Sequence, residues 1–294
     1  MKQRLRPAKA VDRFMTVLLY GVAGFFLLLL AAFTIYILYK GFSNFDPALL
    51  AFNEDGIGNQ FFNTVYLVFL SLLISVPLGA AAGIYMAEYA KPGKLSDFLR
   101  TCIETLSSLP SIVVGLFGYL VFVVMTGSKW NLMAGALAVS ILNLPLVTTV
   151  TQDALKALPR DWKEGSFALG ATHRQTISRV MLPACAPRIV TGVILAAGRG
   201  FGEAAALLYT AGMSTDINWA SRNPASPTFP LNPFRPGETL ALHIWSVRTE
   251  GVAPNAAQIA DLSSAVLILM VFAFSISARA LSRHLDRKLT GGKS

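Results

Sequence analysis

The stretch that organises this chain is polar: residues 164–183 read EGSFALGATHRQTISRVMLP in a sequence that is otherwise mostly apolar. The pattern predicts two short helices that are joined at Gly170. Pro183 is expected to end the second helix, because proline removes a backbone hydrogen bond and clashes with the preceding turn. A pair of short polar helices between apolar runs is typical of a docking element for a cytoplasmic partner. The same pattern also fits an amphipathic pair that lies on lipid headgroups.

Capping residues support both helices. Asp161 is expected to cap the first helix, with Glu164 three residues later reaching back to the cap amide. Thr172 and Gln175 repeat this arrangement at the start of the second helix.

The composition indicates a membrane protein. Of 294 residues, 54% are hydrophobic and 14% are charged, whereas soluble proteins carry about 25% charged residues. The net charge of +9 lies in blocks between apolar runs, so it indicates membrane topology rather than a nucleic-acid partner. Two cysteines, Cys102 and Cys185, and three scattered histidines predict neither a disulfide framework nor a metal site.

Six apolar runs separate these charged blocks. They cover residues 14–39, 61–87, 105–128, 130–152, 189–213 and 262–278, and the last is expected to begin a few residues earlier. The first run has 26 residues, which is too long for a signal peptide. Every second connection is basic, so the positive-inside rule predicts six transmembrane helices with both termini in the cytoplasm. The predicted fold class is therefore an all-α integral membrane protein.

Two further patterns concern packing and the outside surface. Small residues at helical spacing in the third run predict close helix contact; they are Ser107, Ser108, Ser111, Gly115 and Gly118. The outside loop, residues 214–255, has a proline at every third position from Pro224 to Pro236. This period predicts a polyproline II helix, either as a stiff surface loop or as part of a docking surface for an extracytoplasmic partner.

The fifth run contains ionisable residues deep in an apolar segment, Arg199 and Glu203. Arg199 lies about 15 Å from the start of the run at Ile189, near the middle of a hydrocarbon core of about 30 Å. Glu203 would follow one turn later on the same face. Charges at this depth usually face a bundle interior or a water-filled path. The two side chains either neutralise each other or a partner helix, or Arg199 lines the path of an anion and Glu203 orients it.

Two glycine motifs are excluded as nucleotide sites. GRGFG, residues 198–202, lacks the dinucleotide spacing and lies in a membrane span. The terminal GGKS lacks the first glycine of a phosphate-binding loop, because that position is Arg287. With no paired nucleophile and base either, the chain is expected not to be an enzyme.

The polar stretch resembles the EAA loop of ABC importer permeases. The shared pattern is Glu164-Gly165-Ser166, three residues, Gly170, nine residues and then VMLP, residues 180–183. Gly165 and Ser166 stand where the family has alanines, and Val180 stands for isoleucine. Further segments resemble PstA-type permeases of phosphate importers, over about residues 59–287; they are GIYMAEYA (83–90), LPSIVVGLFG (109–118), GRGFGEAAALLYTAG (198–212) and LALHIWSVRTEG (240–251).

The resemblance implies a type I ABC importer permease in the bacterial inner membrane. Its partners would be a PstC-type permease, a PstB-type ATPase dimer that binds ATP and Mg²⁺, and an extracytoplasmic PstS-type phosphate-binding protein; no cofactor is expected in this chain. The residues implied in ATPase coupling are Glu164, Gly165, Ser166, Gly170, Leu182 and Pro183. The implied division is an N-terminal part (1–58), a transport domain (59–287) that includes the coupling loop (161–183), and a cytoplasmic tail (288–294).

Three alternatives remain at the level of the sequence. A permease of the same architecture could carry another oxyanion, such as sulfate, molybdate or phosphonate, because Arg199 would suit any anion. A secondary transporter or channel without an ATPase would be expected to have inverted repeats or half-helices at the midplane. A membrane scaffold would not require charges buried within a span.

Overall fold

The regular structure of the chain is helical wherever it is described. The computed structural model describes residues 5–43, 45–53, 56–224, 226–251 and 255–289. Within these ranges it contains no strand. The helices are α1 (Leu5–Ser43), α2 (Gly58–Ile84), α3 (Lys94–Ser108), α4 (Ser111–Gly118), α5 (Leu132–Lys156), α6 (Arg160–Ala168), α7 (His173–Thr176), α8 (Leu182–Phe201), α9 (Ala205–Thr210), α10 (Leu240–Glu250) and α11 (Ala256–Leu289). Residues 290–294 of the predicted tail lie outside the described residues.

Short wide turns of π type continue several of these helices. Tyr85–Tyr89 extends α2, Tyr119–Val124 extends α4, and Ile177–Met181 joins α7 to α8. A single 3₁₀ turn among the described residues, Pro47–Leu50, lies between α1 and α2.

The helices long and apolar enough to cross a membrane agree with most of the predicted runs. Five such segments are described, and a bent pair brings the number to six if it counts as one span. The five are Val11–Ser43, Gly58–Tyr89, Leu132–Lys156, His173–Phe201 and Ala256–Ala280. The last begins six residues before the apolar run at 262, as expected. The positive-inside argument places α6 and α7 in the cytoplasm.

The third span differs from the prediction of one continuous helix over residues 105–128. The chain bends by 101° between α3 and the segment Ser111–Val124. Leu109 and Pro110 are extended, with ψ of 132° and 137°. The conformation of Leu109 follows because proline disfavours the helical conformation in the residue before it. Hydropathy alone could not place this break, because α3 and Ser111–Val124 taken together are apolar enough for one span.

The fifth span is also interrupted, so the prediction of a single helix over residues 189–213 is wrong. Helix α8 ends at Phe201 and α9 begins only at Ala205. The Glu203 carboxylate accepts a hydrogen bond from the Ala206 amide at 3.0 Å, so it caps the start of α9. This carboxylate stabilises the break, because it satisfies an amide that the interrupted helix leaves without a partner.

Helices α2 and α5 form the centre of the bundle, and they pack closely because small residues recur at every fourth position of α2. These residues are Ser71, Ser75, Gly79 and Gly83. A Cβ atom on Gly79 would lie 2.8 Å from the Val147 side chain, and one on Gly83 would lie 2.6 Å from the Thr148 carbonyl oxygen. Glycine is therefore required at both crossings. This contact was not predicted.

The predicted small residues of the third run divide between two helices. Gly115 packs against Ala206, and Gly118 packs against Thr210, which confirms close contact at these two positions. Ser107 and Ser108 lie on α3 and are exposed, so they do not contribute to the packing of the span.

The outside segment is more regular than a loop, but it is not a polyproline II helix. Successive hydrogen bonds join the amide of residue i+3 to the carbonyl of residue i. They run from Ser226 to Asn223, Phe229 to Ser226, Asn232 to Phe229, and Arg235 to Asn232. A polyproline II helix has no internal hydrogen bonds. The period of three instead places a proline second in each of several consecutive turns, the position that its fixed φ favours.

Helix α10 follows these turns within the segment that was predicted to be a loop. The Thr239 side chain accepts a hydrogen bond from the Leu242 amide at its start. Gly251, at φ +59°, ends it in the left-handed conformation. The helix packs against α2 and α11.

Candidate functional site

The polar stretch forms a two-helix element, here called the coupling element, that comprises α6, the turn at Gly170, α7 and the wide turn to residue 181. Gly170 has φ +81°, a conformation that side chains with a Cβ rarely adopt. Thr172 and Gln175 form the expected capping box at the start of α7. These observations confirm the two helices, the junction and the second cap.

Two details of the prediction are wrong. Asp161 does not cap α6, because the cap position is Pro159 and Asp161 lies in the first turn. Pro183 does not end the second helix, and the chain continues as a helix to Phe201. The wide turn just before Pro183 shifts the hydrogen-bond register, with the Leu182 amide bound to the Ile177 carbonyl. A proline in the first turn of the following α-helix then loses no hydrogen bond.

A buried carboxylate at the end of the second span holds both helices of the coupling element. The Glu88 carboxylate lies 2.5 Å from Lys163 Nζ on α6 and 3.0 Å from His173 Nε2 on α7. The Glu88 side chain is only 7% exposed, whereas Lys163 and His173 are 36% and 35% exposed. The Tyr89 ring lies 4.9 Å from the His173 ring. We call this group of residues the Glu88 clamp; it ties the coupling element to α2.

The predicted coupling residues fall on two faces. Glu164, Gly165 and Gly170 are exposed. Ser166 is buried, and its Oγ lies 2.9 Å from Thr176 Oγ1, so it joins α6 to α7. Leu182 packs against the buried cluster of Leu155, Ile177 and Met181, and Pro183 is half-buried.

The exposed face of the coupling element also carries large apolar side chains. Leu169 is 90% exposed, and Trp162 and Phe167 are exposed as well. Apolar groups on an otherwise polar cytoplasmic surface are typical of a protein interface.

The ionisable pair of the fifth span does not form an ion pair among the described residues. The Arg199 guanidinium is exposed at the surface of the subunit and donates one hydrogen bond, to the Leu142 carbonyl at 3.2 Å. Glu203 is 9% exposed and caps α9. The two residues do not lie on one helical face, because the helix ends between them. Within the described residues, no cluster of three His, Cys, Asp or Glu side chains could hold a metal.

The surface beside Arg199 is open within the described part of this chain. A Cβ on Gly198 would meet nothing within 4 Å. A guanidinium has five donors, and one of them is used within the described part of the chain.

Comparison with known proteins decides the family. Residues 76–291, well over half of the chain, match the family described as binding-protein-dependent transport system inner membrane component. The chain belongs to this family. It is therefore a multi-pass inner-membrane permease, a transport component rather than an enzyme.

Relatives of this permease carry two kinds of name. The probable ABC transporter permease protein YqgI of Bacillus subtilis (strain 168) is 52% identical over 236 residues, 80% of each chain. The phosphate transport system permease protein PstA of Xylella fastidiosa (strain 9a5c) is 37% identical, over 54% of this chain and 55% of its own length. PstA 2 of Mycobacterium bovis is 34% identical over 75% of this chain and 68% of its own.

Solved structures support the fold. The permease resembles a chain of a bacterial alginate ABC transporter with a TM-score of 0.66, 17% identity and coverage of 93% and 95% of the two chains. A chain of the inward-facing MetNI methionine ABC transporter gives a TM-score of 0.57 at 16% identity, with coverage of 82% and 99%. The fold is that of type I ABC importer permeases.

The outer surface of the permease contains buried charges that sequence reasoning missed. Arg235 is 1% exposed and donates to Asn63 Oδ1 at 2.5 Å and to the Pro230 carbonyl at 3.1 Å. Burial lowers the pKa of Arg235 to about 10. Glu238 is 3% exposed and lies 2.9 Å from His243 Nδ1. These contacts attach the proline turns to the outer end of α2. The polar residues at positions 59–64, at the start of an apolar helix, were the feature of the sequence that indicated such contacts.

Proposed function

We propose that this permease is the PstA-type subunit of an ATP-driven phosphate importer. The observation that supports an anionic substrate is the exposed Arg199 guanidinium, at mid-depth in the fifth span and without a carboxylate partner in the described structure. Relatives named phosphate transport permeases support phosphate among the anions. Within this proposal, residues 59–287 form the transport domain and 1–58 an added first span.

The coupling element would contact a cytoplasmic ATPase through its exposed face. Glu164, Gly165 and Gly170 are exposed there, next to Leu169. Ser166 and Leu182 would hold the shape of the element from inside, and Pro183 would allow the helix to continue. ATP and Mg²⁺ would be bound by the ATPase. ATP hydrolysis would therefore affect this chain only through a movement of the ATPase that the coupling element contacts.

A continuous helix connects this contact to the substrate path. The segment His173–Phe201 has 29 residues and is about 43 Å long by the rise of an α-helix. Arg199 lies two residues before its end. Rotation or displacement of α7 would therefore move Arg199 directly, and the Glu88 clamp would move α2 with it.

In this function the chain forms half of the path. A PstC-type permease would supply the other half, a PstB-type ATPase dimer the energy, and a PstS-type binding protein the phosphate. Arg199 would lower the electrostatic barrier for the anion. Glu203 would stabilise the break between α8 and α9, where the path passes the end of α8.

A related importer for sulfate, molybdate or phosphonate is the second candidate. The 52% identical relative does not decide between the two, because its name specifies no substrate. Uptake of labelled phosphate in cells that lack their own phosphate importer, and that express this permease with its partners, separates the two. We expect uptake that excess phosphate abolishes and excess sulfate leaves intact; inhibition by sulfate at equal concentration would reject phosphate specificity.

A further inference from the structure

Helix α3 is amphipathic and turns away from the third span. Its apolar residues recur at three- and four-residue intervals; they are Leu95, Phe98, Leu99, Cys102, Ile103 and Leu106. The start of this apolar face is not covered by the subunit, because Leu95 and Phe98 are each 63% exposed, whereas the other four apolar residues are half-buried. Such a helix is suited to lie in the plane of a membrane surface.

The start of α3 lies on the cytoplasmic side, because Tyr89, just before α3, contacts His173 of the coupling element. The 8 residues of Ser111–Gly118 and the 6 of Tyr119–Val124 give a length of about 21 Å, less than a hydrocarbon core of about 30 Å. The segment after the 101° bend is therefore too short to cross the core alone.

A cavity of about 370 Å³ lies where α2 meets α3. It is lined by Tyr85 and Tyr89, by Lys91 and Lys94, and by Leu95 and Leu99. Both lysines are exposed, and neither belongs to an ion pair among the described residues. The cavity thus combines two positive charges and two phenol rings with an apolar side that continues onto α3.

We propose that this cavity binds the headgroup of an anionic phospholipid of the cytoplasmic leaflet. Lys91 and Lys94 would bind the phosphate, the tyrosine hydroxyls would donate to its oxygens, and the acyl chains would lie along Leu95 and Leu99. Charge complementarity favours an anionic over a zwitterionic lipid, and the exposed apolar side chains of Leu95 and Phe98 at the start of α3 favour lipid over a soluble ligand. The site depends on the fold and the topology, and it does not depend on phosphate as substrate.

The site also lies beside the Glu88 clamp. Tyr89 lines the cavity and contacts His173, so a bound lipid would support the end of α2 to which the coupling element is tied. We expect anionic lipid to stabilise the docked position of that element.

The test measures lipid binding by the purified permease complex. The probe is fluorescent phosphatidylglycerol in phosphatidylcholine nanodiscs, with fluorescent phosphatidylcholine as the comparison lipid. We expect the variant Lys91→Gln/Lys94→Gln to bind the anionic probe about 30-fold more weakly, the effect of two lysines at an anionic surface. Lys91→Arg/Lys94→Arg should bind it nearly as well as the unchanged permease.

The matched control removes two charges elsewhere on the same side, in Arg279→Gln/Arg283→Gln, and should bind the probe normally. Equal loss in both double variants would overturn the proposal, as would unchanged binding in the lysine variant. The proposal would also be overturned if the lysine variant released the ATPase while its lipid binding stayed intact. That result would indicate that the surface is a protein interface. If the double variant does not assemble, Lys91→Gln alone must weaken binding about fivefold, and no change in that variant would reject the site.

Discussion

The Glu88 clamp gives the sharpest prediction. In Glu88→Gln the side chain keeps its size and loses its charge, so its contacts with Lys163 and His173 lose their ionic part. Breaking a buried ion pair costs about 3–5 kcal/mol, and an exposed pair contributes about 0–1 kcal/mol. Glu88 is 7% exposed, whereas its two partners are about one-third exposed. We therefore expect a loss of about 2 kcal/mol, between those two ranges.

Such a loss would raise the population of the undocked coupling element about 30-fold while the spans stay folded. In liposomes with all partners present, ATP hydrolysis and phosphate uptake should be measured together. We expect fewer phosphate ions transported per ATP hydrolysed, with normal amounts of assembled complex. Glu104→Gln, at an exposed acid of α3 that has no ion pair in the described structure, is the control and should leave this ratio unchanged.

A double-mutant cycle tests the physical reason. Lys163→Gln alone should also lower the ratio, but the combination with Glu88→Gln should be no worse than Glu88→Gln, because the shared contact is lost once. Additive effects would refute the clamp, as would an unchanged ratio in Glu88→Gln.

Three other changes test separate features. Arg199→Gln should abolish phosphate uptake at normal expression, with partial activity in Arg199→Lys, because the path needs a cation there; unimpaired uptake in labelled-phosphate assays would reject this role. Gly170→Val should transport little while ATP hydrolysis continues, because φ +81° costs about 1–3 kcal/mol in strain for such a residue; normal uptake would contradict it. Gly83→Val should lower the melting temperature of the purified complex by overpacking of about 1–3 kcal/mol, whereas Gly165→Ala, which meets open space, should not; equal melting temperatures would disprove the tight helix crossing.

The spans and the coupling element could be predicted because they depend on local patterns. Long apolar runs and alternating basic connections specify which segments cross the membrane and in which direction. The spacing from Glu164 to Pro183 specifies two helices around Gly170, and Thr172 with Gln175 caps the second one. Each of these properties is determined within a few turns of chain.

The breaks in the spans could not be predicted in the same way. At Pro110 and Gly202 the break lies inside a run that is apolar on average, so hydropathy treats each run as one helix although the backbone is interrupted. Pro183 predicts a helix end in the same way as Pro110 does. The helix continues at Pro183, because the wide turn before it shifts the hydrogen-bond register and the proline loses no hydrogen bond. The decision between these outcomes depends on packing partners in other parts of the chain.

The Glu88 clamp was missed for a related reason. Its members are separated by 75 and 85 residues, and only the fold brings them together. A glutamate at the end of an apolar run was a visible signal, but its partners could not be inferred from spacing. The same holds for Arg235 and Asn63, which lie 172 residues apart.

ATP hydrolysis by the complete complex in liposomes tests the central claim most directly. The complex would contain this permease, its partner permease and the ATPase dimer, with binding protein enclosed on the outer-facing side. We predict that phosphate-loaded binding protein stimulates hydrolysis and that labelled phosphate accumulates in step with it. Equal hydrolysis with and without phosphate, or stimulation by sulfate but not by phosphate, would contradict the account.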